Sequence, residues 1–286
     1  KHKKSYRKAK HTYLNRIRLA MSFFYFGMGF CFASWASRIP DIKSFLDSTY
    51  LKTAAQAGIS ENENTKLVVN CIQEAIDENF KLVMIRPEMV SLAKKMVTSQ
   101  KSKVTIGTVI DFPKGNSNYS KKIIEAKKAI ADGADDLDFV CNYQAFKKGN
   151  VLLVKEEIQK CTEFAIQNNK VIKWIIEVAA LNNQQIIQLS TLIKNVVIAN
   201  FKEDSYASVF VKSSTGFYKT QDNKPNGATI PSIIMMLENS APLPVKAAGG
   251  VRTYQEAVEM INLGVKRIGT SSAKAISAGL TAENNY

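Results

Sequence analysis

Short apolar runs alternate with amphipathic segments at a regular pitch from residue 45 onward. The apolar runs predict strands, and the segments between them carry apolar residues at i, i+3 and i+4 spacing, which predicts helices. Gly133 and Gly264 stand where two of these helices should end. The predicted strands are Phe45–Thr49, Leu82–Arg86, Val104–Ile110, Asp136–Cys141, Val171–Val178, Ser208–Ser214, Pro244–Gly250 and Arg267–Ser271.

Eight strands that alternate with helices favour an α/β fold of the (β/α)8 TIM-barrel type. An open doubly wound sheet is the alternative, but no GxGxxG motif follows the first strand. We therefore predict a TIM barrel over residues 44–286, preceded by a basic and hydrophobic helical extension over residues 1–43.

The positive charge of the chain is concentrated at its start. Residues 1–46 hold ten of the 39 Lys and Arg residues but one of the 25 acidic residues. The net charge of +14 therefore says little about the ligand of the barrel. No nucleic-acid recognition motif accompanies this basic stretch, so we expect a solvated flank and no nucleic-acid partner.

Residues 19–37 form an uncharged run that is long enough to cross a bilayer as a helix. A signal peptide and a buried core helix are the alternatives. Residues 14–46 resemble the first transmembrane segment of major facilitator superfamily sugar permeases. No second span follows, so we expect no transport, and membrane association only if residues 19–37 insert. Residues 1–43 are interpreted as a fused or extraneous piece, with a membrane tether as the second hypothesis.

The residue types available for catalysis are limited. Both histidines, His2 and His11, lie in the basic stretch, which argues against a Ser-His-Asp or Cys-His mechanism and against a histidine-ligated zinc site in the barrel. The four cysteines are widely spaced, which predicts buried thiols in a reducing compartment rather than a metal site. We expect no metal, and a chemistry that uses Lys, Asp, Glu, Tyr or Ser.

Three lysines, Lys173, Lys212 and Lys246, lie within otherwise apolar predicted strands. Burial of an unpaired ammonium is costly, so each lysine must face the barrel mouth or a carboxylate. Desolvation and a neighbouring cation both favour the neutral amine, which is the nucleophile that attacks a carbonyl. A purely structural network with Asp138 and Glu177 is the alternative interpretation.

Glycine-containing turns follow the last three predicted strands: SSTG at 213–216, AAGGVRT at 247–253 and GTSS at 269–272. Glycine lets backbone N–H groups approach an anion, and Ser and Arg side chains add donors. Loops after the last strands of such barrels often hold a phosphate. These turns therefore predict a phosphorylated substrate.

Seven motifs resemble those of the deoxyribose-phosphate aldolase family and cover about residues 44–286: DSTYLKT (47–53), GTVIDFPKG (107–115), DGADDLDFVCNYQAF (132–146), KWIIEVAAL (173–181), FVKSSTGF (210–217), VKAAGGVRT (245–253) and RIGTSSA (267–273). The resemblance implies a metal-independent class I aldolase that cleaves 2-deoxy-D-ribose 5-phosphate to D-glyceraldehyde 3-phosphate and acetaldehyde. It further implies deoxyribonucleoside catabolism in the cytoplasm, no cofactor beyond a covalent lysine imine, and a homodimer as a possible assembly.

The resemblance also implies roles for individual residues. Lys212 matches the Schiff-base lysine, Lys246 the second lysine whose charge helps to keep Lys212 neutral, and Asp138 the acid/base. The implied substrate-binding residues are Asp47, Thr49, Gly216, Gly249, Gly250, Arg252, Gly269, Ser271 and Ser272.

Three positions invite comparison with the family pattern. Phe217 stands where some members place a lysine that contacts phosphate, and Met84 where some carry a reactive cysteine. The chain ends at Tyr286, as some members end in a tyrosine on a tail that reaches the site, which makes a tail contribution one interpretation. Other function classes stay open: another phosphosugar-binding barrel enzyme, such as an isomerase or epimerase, or a non-catalytic membrane-tethered barrel.

Overall fold

The structure, a computed structural model, describes residues 41–221 and 224–280, and these form a closed parallel barrel in the strand order β1 to β8. Each strand pairs in parallel with the next, and β8 pairs with β1. The predicted TIM barrel is confirmed. The strands are Leu46–Thr49 (β1), Leu82–Ile85 (β2), Thr105–Ile110 (β3), Asp136–Val140 (β4), Val171–Ile175 (β5), Val209–Lys212 (β6), Val245–Ala248 (β7) and Arg267–Thr270 (β8).

Helices connect the strands and cover the outside of the barrel. Gly133 and Gly264 end two of them in the left-handed conformation, with φ of 111° and 117°, as the sequence predicts. The helices are α1 (Ala54–Ala57), α2 (Glu61–Asp77), α3 (Val90–Ser99), α4 (Tyr119–Asp132), α5 (Tyr143–Lys147), α6 (Val151–Gln167), α7 (Asn183–Asn200), α8 (Ile230–Ser240), α9 (Tyr254–Leu263) and α10 (Ala273–Ser277). Short 3₁₀ turns lie at Ile42–Phe45, Pro87–Met89, Val178–Ala180 and Glu203–Ser208.

Several strands end earlier than their apolar runs predict. The fifth was predicted to reach Val178, but β5 ends at Ile175 because Glu177 adopts a left-handed φ of 57° and a 3₁₀ turn follows. The seventh was predicted to reach Gly250, but β7 ends at Ala248 because Gly249 and Gly250 have φ of 80° and 88°. Both departures lie at the carboxyl ends of strands, where the chain turns toward the site.

The buried apolar residues form two clusters, a large one and a small one. The larger cluster lies between strands and helices, and it leaves nearly every strand residue buried, as expected for a parallel sheet covered by helices. The second, smaller cluster consists of Leu51, Leu82, Met84 and Val109. Met84, predicted to replace a reactive cysteine, belongs to this cluster and is completely buried.

The predicted N-terminal extension, its apolar run at 19–37 and the tail residue Tyr286 lie outside the described residues. Among the helices of the described part, none combines the length and the hydropathy that a membrane crossing requires. The unit that carries the barrel runs from Pro40 to Tyr286, and its first described element begins at Ile42.

Candidate active site

A cavity of about 320 Å³ opens at the carboxyl ends of β1, β6, β7 and β8. Lys212, the last residue of β6, lines it together with the turns that follow these strands. The other lining residues are Thr49, Leu51, Lys52, Thr215, Gly216, Phe217, Asn226, Ala248, Gly249, Gly250, Val251, Arg252, Gly269, Thr270 and Ser271.

Behind Lys212, the carboxylate of Asp138 binds three lysines. Its Oδ2 lies 2.9 Å from Nζ of Lys212 and 2.9 Å from Nζ of Lys246, and its Oδ1 lies 2.9 Å from Nζ of Lys173. Asp138 and Lys173 face each other in the β4–β5 register, and Lys212 and Lys246 in the β6–β7 register. Alternation along the strands therefore turns these four side chains into the barrel.

The network continues below this group to β1 and β8. Asp47 binds Lys246 through Oδ2 at 2.6 Å and Arg267 through Oδ1 at 2.5 Å, while Asp136 binds Lys173 at 2.6 Å. Within the described residues, the interior network thus combines three aspartates with four basic side chains. Burial of a charged group without a partner is costly, so these ion pairs are needed to offset the loss of water around the charged side chains inside the barrel.

The network sets the protonation state of Lys212. Burial lowers the pKa of its ammonium to about 8, and the positive charges of Lys246 and Lys173 act in the same direction, against the opposing effect of Asp138. The pKa of Asp138 is well below its ordinary value because Lys173, Lys212 and Lys246 overcome the effect of its burial. Near neutral pH, Lys212 is therefore the neutral amine in a larger fraction of molecules than an ordinary lysine is, and it lies beside a carboxylate that stays ionised.

Lys173 has a different role from Lys212. Its pKa is raised, because the carboxylates of Asp136, Asp138 and Asp47 outweigh the effect of its complete burial. It remains an ammonium that holds Asp138 in place. For Lys173, the structure therefore favours the alternative interpretation, in which the strand lysine has a structural role. Glu177 does not join this network; it binds Ser214 and Thr215 instead.

Most residues that the resemblance implied for substrate binding surround the cavity: Thr49, Gly216, Gly249, Gly250, Arg252, Gly269 and Ser271. Asp47 does not, because its ion pairs with Lys246 and Arg267 hold it, completely buried, within the network. Ser272 is also absent from the cavity wall and is the N-cap residue of α10. The N–H of Gly216 donates to Ser214 Oγ at 3.0 Å, so this glycine shapes the turn with its amide.

The glycines after β7 permit a close approach of two backbones. A Cβ on Gly227 would lie 2.3 Å from the carbonyl oxygen of Gly249, and Ala228 N–H donates to that same oxygen at 2.9 Å. The loop that precedes α8 is thereby fastened to the Gly249–Gly250 turn. This contact joins two turns that are more than 20 residues apart, and the need for glycine at position 227 is not visible from the sequence.

Several residues of the site are not predicted by the sequence patterns. Lys52 and Asn226 line the cavity but lie in loops without a charge or glycine pattern that sets them apart. Asp136 and Arg267 are not among the predicted site residues, although they lie two residues before Asp138 and Gly269 on their strands and therefore on the same inward face. The period of two along a strand is the signal that could have found them.

Phe217 gives the cavity an apolar wall. Its ring meets that of Phe112 edge-to-face, with centroids 5.1 Å apart, and the guanidinium of Arg86 lies 5.2 Å from the centroid of Phe112. Both aromatic rings pack against the inner cluster that includes Leu51 and Met84. Positive charge at the cavity comes instead from Lys52, Lys212 and Arg252.

Comparison with known proteins shows to which family the chain belongs. The family model described as "DeoC/LacD family aldolase" matches residues 50–280. The chain belongs to this family. It is similar to the deoxyribose-phosphate aldolase of Thermococcus gammatolerans, with 35% identity over 240 residues that cover 84% of this chain and 96% of that protein. For the deoxyribose-phosphate aldolase of Caldicellulosiruptor saccharolyticus the identity is 36% over 239 residues, or 82% and 96% of the two chains.

Solved structures of related aldolases support the same family assignment. The aldolase QR15 superposes with a TM-score of 0.66 at 31% identity and covers 84% of this chain and 95% of its own. The deoxyribose phosphate aldolase of Aeropyrum pernix, described as a unique tetramer, gives a TM-score of 0.67 at 25% identity, covering 83% and 89%. The protein is therefore an aldolase, a carbon–carbon lyase, and family identity supports a Schiff-base lysine without a cofactor. The permease resemblance of residues 14–46 receives no support from these comparisons.

Replacement of Lys246 by Leu tests the electrostatic control of Lys212. The charge of Lys246 lowers the pKa of Lys212, so its removal should raise the pH midpoint for formation of the neutral amine by about one unit. The measurement is the rate of cyanoborohydride trapping of acetaldehyde between pH 6 and 10. An exposed lysine on α4, Lys128, provides the control variant Lys128→Leu; equal midpoints in all three proteins would refute the coupling.

Proposed function

We propose that this aldolase cleaves 2-deoxy-D-ribose 5-phosphate to D-glyceraldehyde 3-phosphate and acetaldehyde, with Lys212 as the nucleophile. The observation that carries the proposal is the position of Lys212: an amine with a lowered pKa on the cavity wall, 2.9 Å from the buried carboxylate of Asp138. The substrate class is supported by the relatives, which are deoxyribose-phosphate aldolases at about 35% identity.

The phosphate end of the substrate is assigned to the turns after β6, β7 and β8, all of which line the cavity. Gly249 and Gly250 let the backbone approach an anion, Arg252 supplies charge, and Ser271 supplies a hydroxyl at the same side of the cavity. Thr49 and Lys52 lie on the β1 side of the cavity. A substrate held at its phosphate would extend from these turns toward the amine of Lys212.

The reaction begins when the neutral amine of Lys212 attacks C1 of the open-chain sugar to form a carbinolamine. Loss of water gives a protonated imine, which is the electron sink that carbon–carbon cleavage requires. The C3 hydroxyl then loses its proton, the C2–C3 bond breaks, and its electron pair passes to the imine nitrogen; C3 leaves as the aldehyde carbon of D-glyceraldehyde 3-phosphate, and a two-carbon enamine remains on Lys212. We assign the proton transfers at these steps to Asp138 and Lys246, a proposal that their contact at 2.9 Å supports.

Release of acetaldehyde completes the cycle. The enamine takes a proton at C2, and water hydrolyses the resulting imine to regenerate Lys212. Asp138 remains paired with Lys173 throughout, which fixes the carboxylate beside the reacting nitrogen. No step needs a metal or an organic cofactor, because the lysine nitrogen itself accepts the electrons.

Imine trapping tests this function directly. The full chain, and a second chain that begins at Pro40, are incubated with acetaldehyde and borohydride, and the adduct is located by peptide mass spectrometry. We expect a single adduct on Lys212 in both proteins, prevented by 2-deoxyribose 5-phosphate. Adducts scattered over surface lysines, or the absence of cleavage products from the sugar phosphate, would contradict the proposal.

We infer that the residues before Pro40 are dispensable for the barrel, because the compact unit that carries the barrel begins at Pro40 and the family match at residue 50. A cytoplasmic location is supported by a phosphorylated substrate and by the free thiols of Cys71, Cys141 and Cys161. The homodimer stays a prediction, beside a relative from Aeropyrum pernix that is described as a tetramer.

A further inference from the structure

Glu177 is a buried carboxyl group for which the reaction described above has no role. It follows β5, its exposed fraction is 1%, and its backbone has a left-handed φ of 57°, which is costly for a residue other than glycine. Hydrogen bonds on both sides fix this conformation: Ile176 N–H donates to Lys212 O at 3.0 Å, and Val178 N–H to Ser213 O at 2.9 Å. Glu177 is therefore aimed at the turn that follows Lys212.

The carboxyl group binds two consecutive residues of that turn. Its Oε1 lies 2.9 Å from Ser214 Oγ. Its Oε2 accepts from the backbone N–H of Thr215 at 3.3 Å and also contacts Thr215 Oγ1. These contacts occupy both oxygens of the side chain, although Glu177 itself does not line the cavity.

The two hydroxyl groups in turn hold the backbone of the cavity wall. Ser214 Oγ accepts from Gly216 N–H, and Thr215 Oγ1 accepts from Phe217 N–H, both at 3.0 Å. Thr215, Gly216 and Phe217 line the cavity. The position of this wall thus depends on Glu177 through one intervening hydroxyl group on each path.

A count of hydrogen atoms indicates which form of Glu177 fits. Ser214 Oγ lies 2.9 Å from Glu177 Oε1 and 2.7 Å from the backbone oxygen of Asn226, while it also accepts from Gly216. A hydroxyl group has one hydrogen, and the Asn226 carbonyl has none to give. Both contacts are satisfied together if Ser214 donates to Asn226 and a protonated Oε1 of Glu177 donates to Ser214. Oε2 then accepts from Thr215.

We propose that Glu177 is a positioning residue of the substrate cavity: as a neutral carboxylic acid, it holds the Ser214–Phe217 turn in the shape that binds the sugar phosphate. This proposal rests on the proposed function. Burial raises the pKa of Glu177, against the hydrogen bonds from the turn and the charge of Lys212 on β6. Among the described residues, the charge of Glu177 also couples to Tyr143 of α5, the pKa of which is itself raised, by burial first.

Two substitutions separate a neutral acid from a carboxylate. In Glu177→Gln, the amide N–H can donate to Ser214 while the amide oxygen accepts from Thr215, so the turn should keep its shape. We expect its KM for 2-deoxyribose 5-phosphate to stay within about twofold of wild type. In Glu177→Ala both contacts are lost, and we expect this KM to rise about tenfold with a smaller change in kcat. The KM for unphosphorylated 2-deoxyribose should change less.

A third variant keeps the test decisive if Glu177→Ala does not fold. Thr215→Val removes the hydroxyl group from the other side of the contact, and its KM should move in the same direction as in Glu177→Ala. Thr108→Val is the matched control, because Thr108 is also a buried threonine, with its hydroxyl group on the Ile85 carbonyl and no part in the cavity. We expect its KM to equal that of wild type.

The outcomes distinguish this proposal from the function on which it rests. Borohydride trapping of acetaldehyde on Lys212 should persist in every variant, and its absence in the unmodified protein would refute the proposed function itself. If trapping persists but Glu177→Gln raises the KM as much as Glu177→Ala does, the neutral-acid assignment is wrong. If Glu177→Ala or Thr215→Val leaves the KM unchanged, or if phosphorylated and unphosphorylated sugars are affected equally, Glu177 does not position the phosphate-side wall.

Discussion

Replacement of Lys212 by Met is expected to abolish the aldolase activity and, at the same time, to stabilise the fold at neutral pH. Methionine offers no amine for the imine, so we expect kcat/KM for 2-deoxyribose 5-phosphate to fall by at least about 10⁴-fold. The trapped acetaldehyde adduct should disappear with it. Lys212 is buried, and its replacement is close to it in length and apolar, so the space in the barrel remains filled.

The expected gain in stability follows from the pKa of Lys212. The value of about 8 in the folded protein lies below the ordinary 10.5, so folding disfavours the ammonium form. The resulting penalty is fully present below pH 8 and vanishes as the pH rises past 10.5. Removal of the amine should therefore raise the free energy of unfolding by about 1–3 kcal/mol at pH 7, and by progressively less between pH 8 and 10.5.

Urea unfolding at pH 7 and pH 10 measures this effect, with Lys128→Met as the control at an exposed lysine of α4. The control should change neither stability nor activity. A Lys212→Met protein that is inactive but less stable than wild type at pH 7 would show that Lys212 contributes to stability as an ion pair with Asp138. Catalysis without an amine at position 212 would exclude the imine mechanism.

The fold was predictable because its signal repeats. The eight apolar runs and the helices between them recur at one pitch, and a buried parallel strand needs little beyond a short apolar run. The strand ends were less predictable, because nothing in the sequence KWIIEVAAL shows that Glu177 leaves the extended conformation. That conformation depends on hydrogen bonds with Lys212 and Ser213, which are more than 30 residues away.

The site was predictable at the level of residue types and less so in its geometry. A lysine in an apolar strand is conspicuous, and the sequence predicts Lys173, Lys212 and Lys246 as one group. Their different roles depend on which carboxylate each one meets across the barrel: Lys173 binds two aspartates, whereas Lys212 binds one. Strand register and closure decide this, and neither is visible in the spacing of the residues along the chain.

Among the variants proposed for this protein, Asp138→Asn is expected to lose the most stability, and it should also lose most of its activity. At pH 7 the interior network holds three aspartates against Lys173, Lys246, Arg267 and a largely protonated Lys212, as far as the described residues extend. Loss of the Asp138 charge leaves one further buried positive charge without compensation, which costs on the order of 3–5 kcal/mol. The asparagine amide would also direct N–H groups toward lysines that have only donors to offer.

In Asp138→Asn, the fraction of Lys212 in the neutral form should increase, whereas kcat should decrease. Asp138 favours the ammonium form of Lys212, so the asparagine variant should lower the pH midpoint for neutral amine below 8. More nucleophile is then present at pH 7, yet kcat should still fall by about 10²–10⁴-fold because the proton-transfer partner is lost. The direction of the pH shift separates electrostatic control of the nucleophile from proton transfer, which a measurement of activity alone does not do.

Asp136→Asn is the matched control, since Asp136 is a buried aspartate of the same strand that binds Lys173 but contacts neither Lys212 nor Lys246. We expect it to lose stability and to retain both the pH midpoint of Lys212 and most of the activity. Urea unfolding, kcat and the pH dependence of imine trapping are measured on both variants. If the two variants lose the same amount of activity, Asp138 acts on the reaction only through the charge balance of the barrel, and proton transfer at the imine must be assigned to another group.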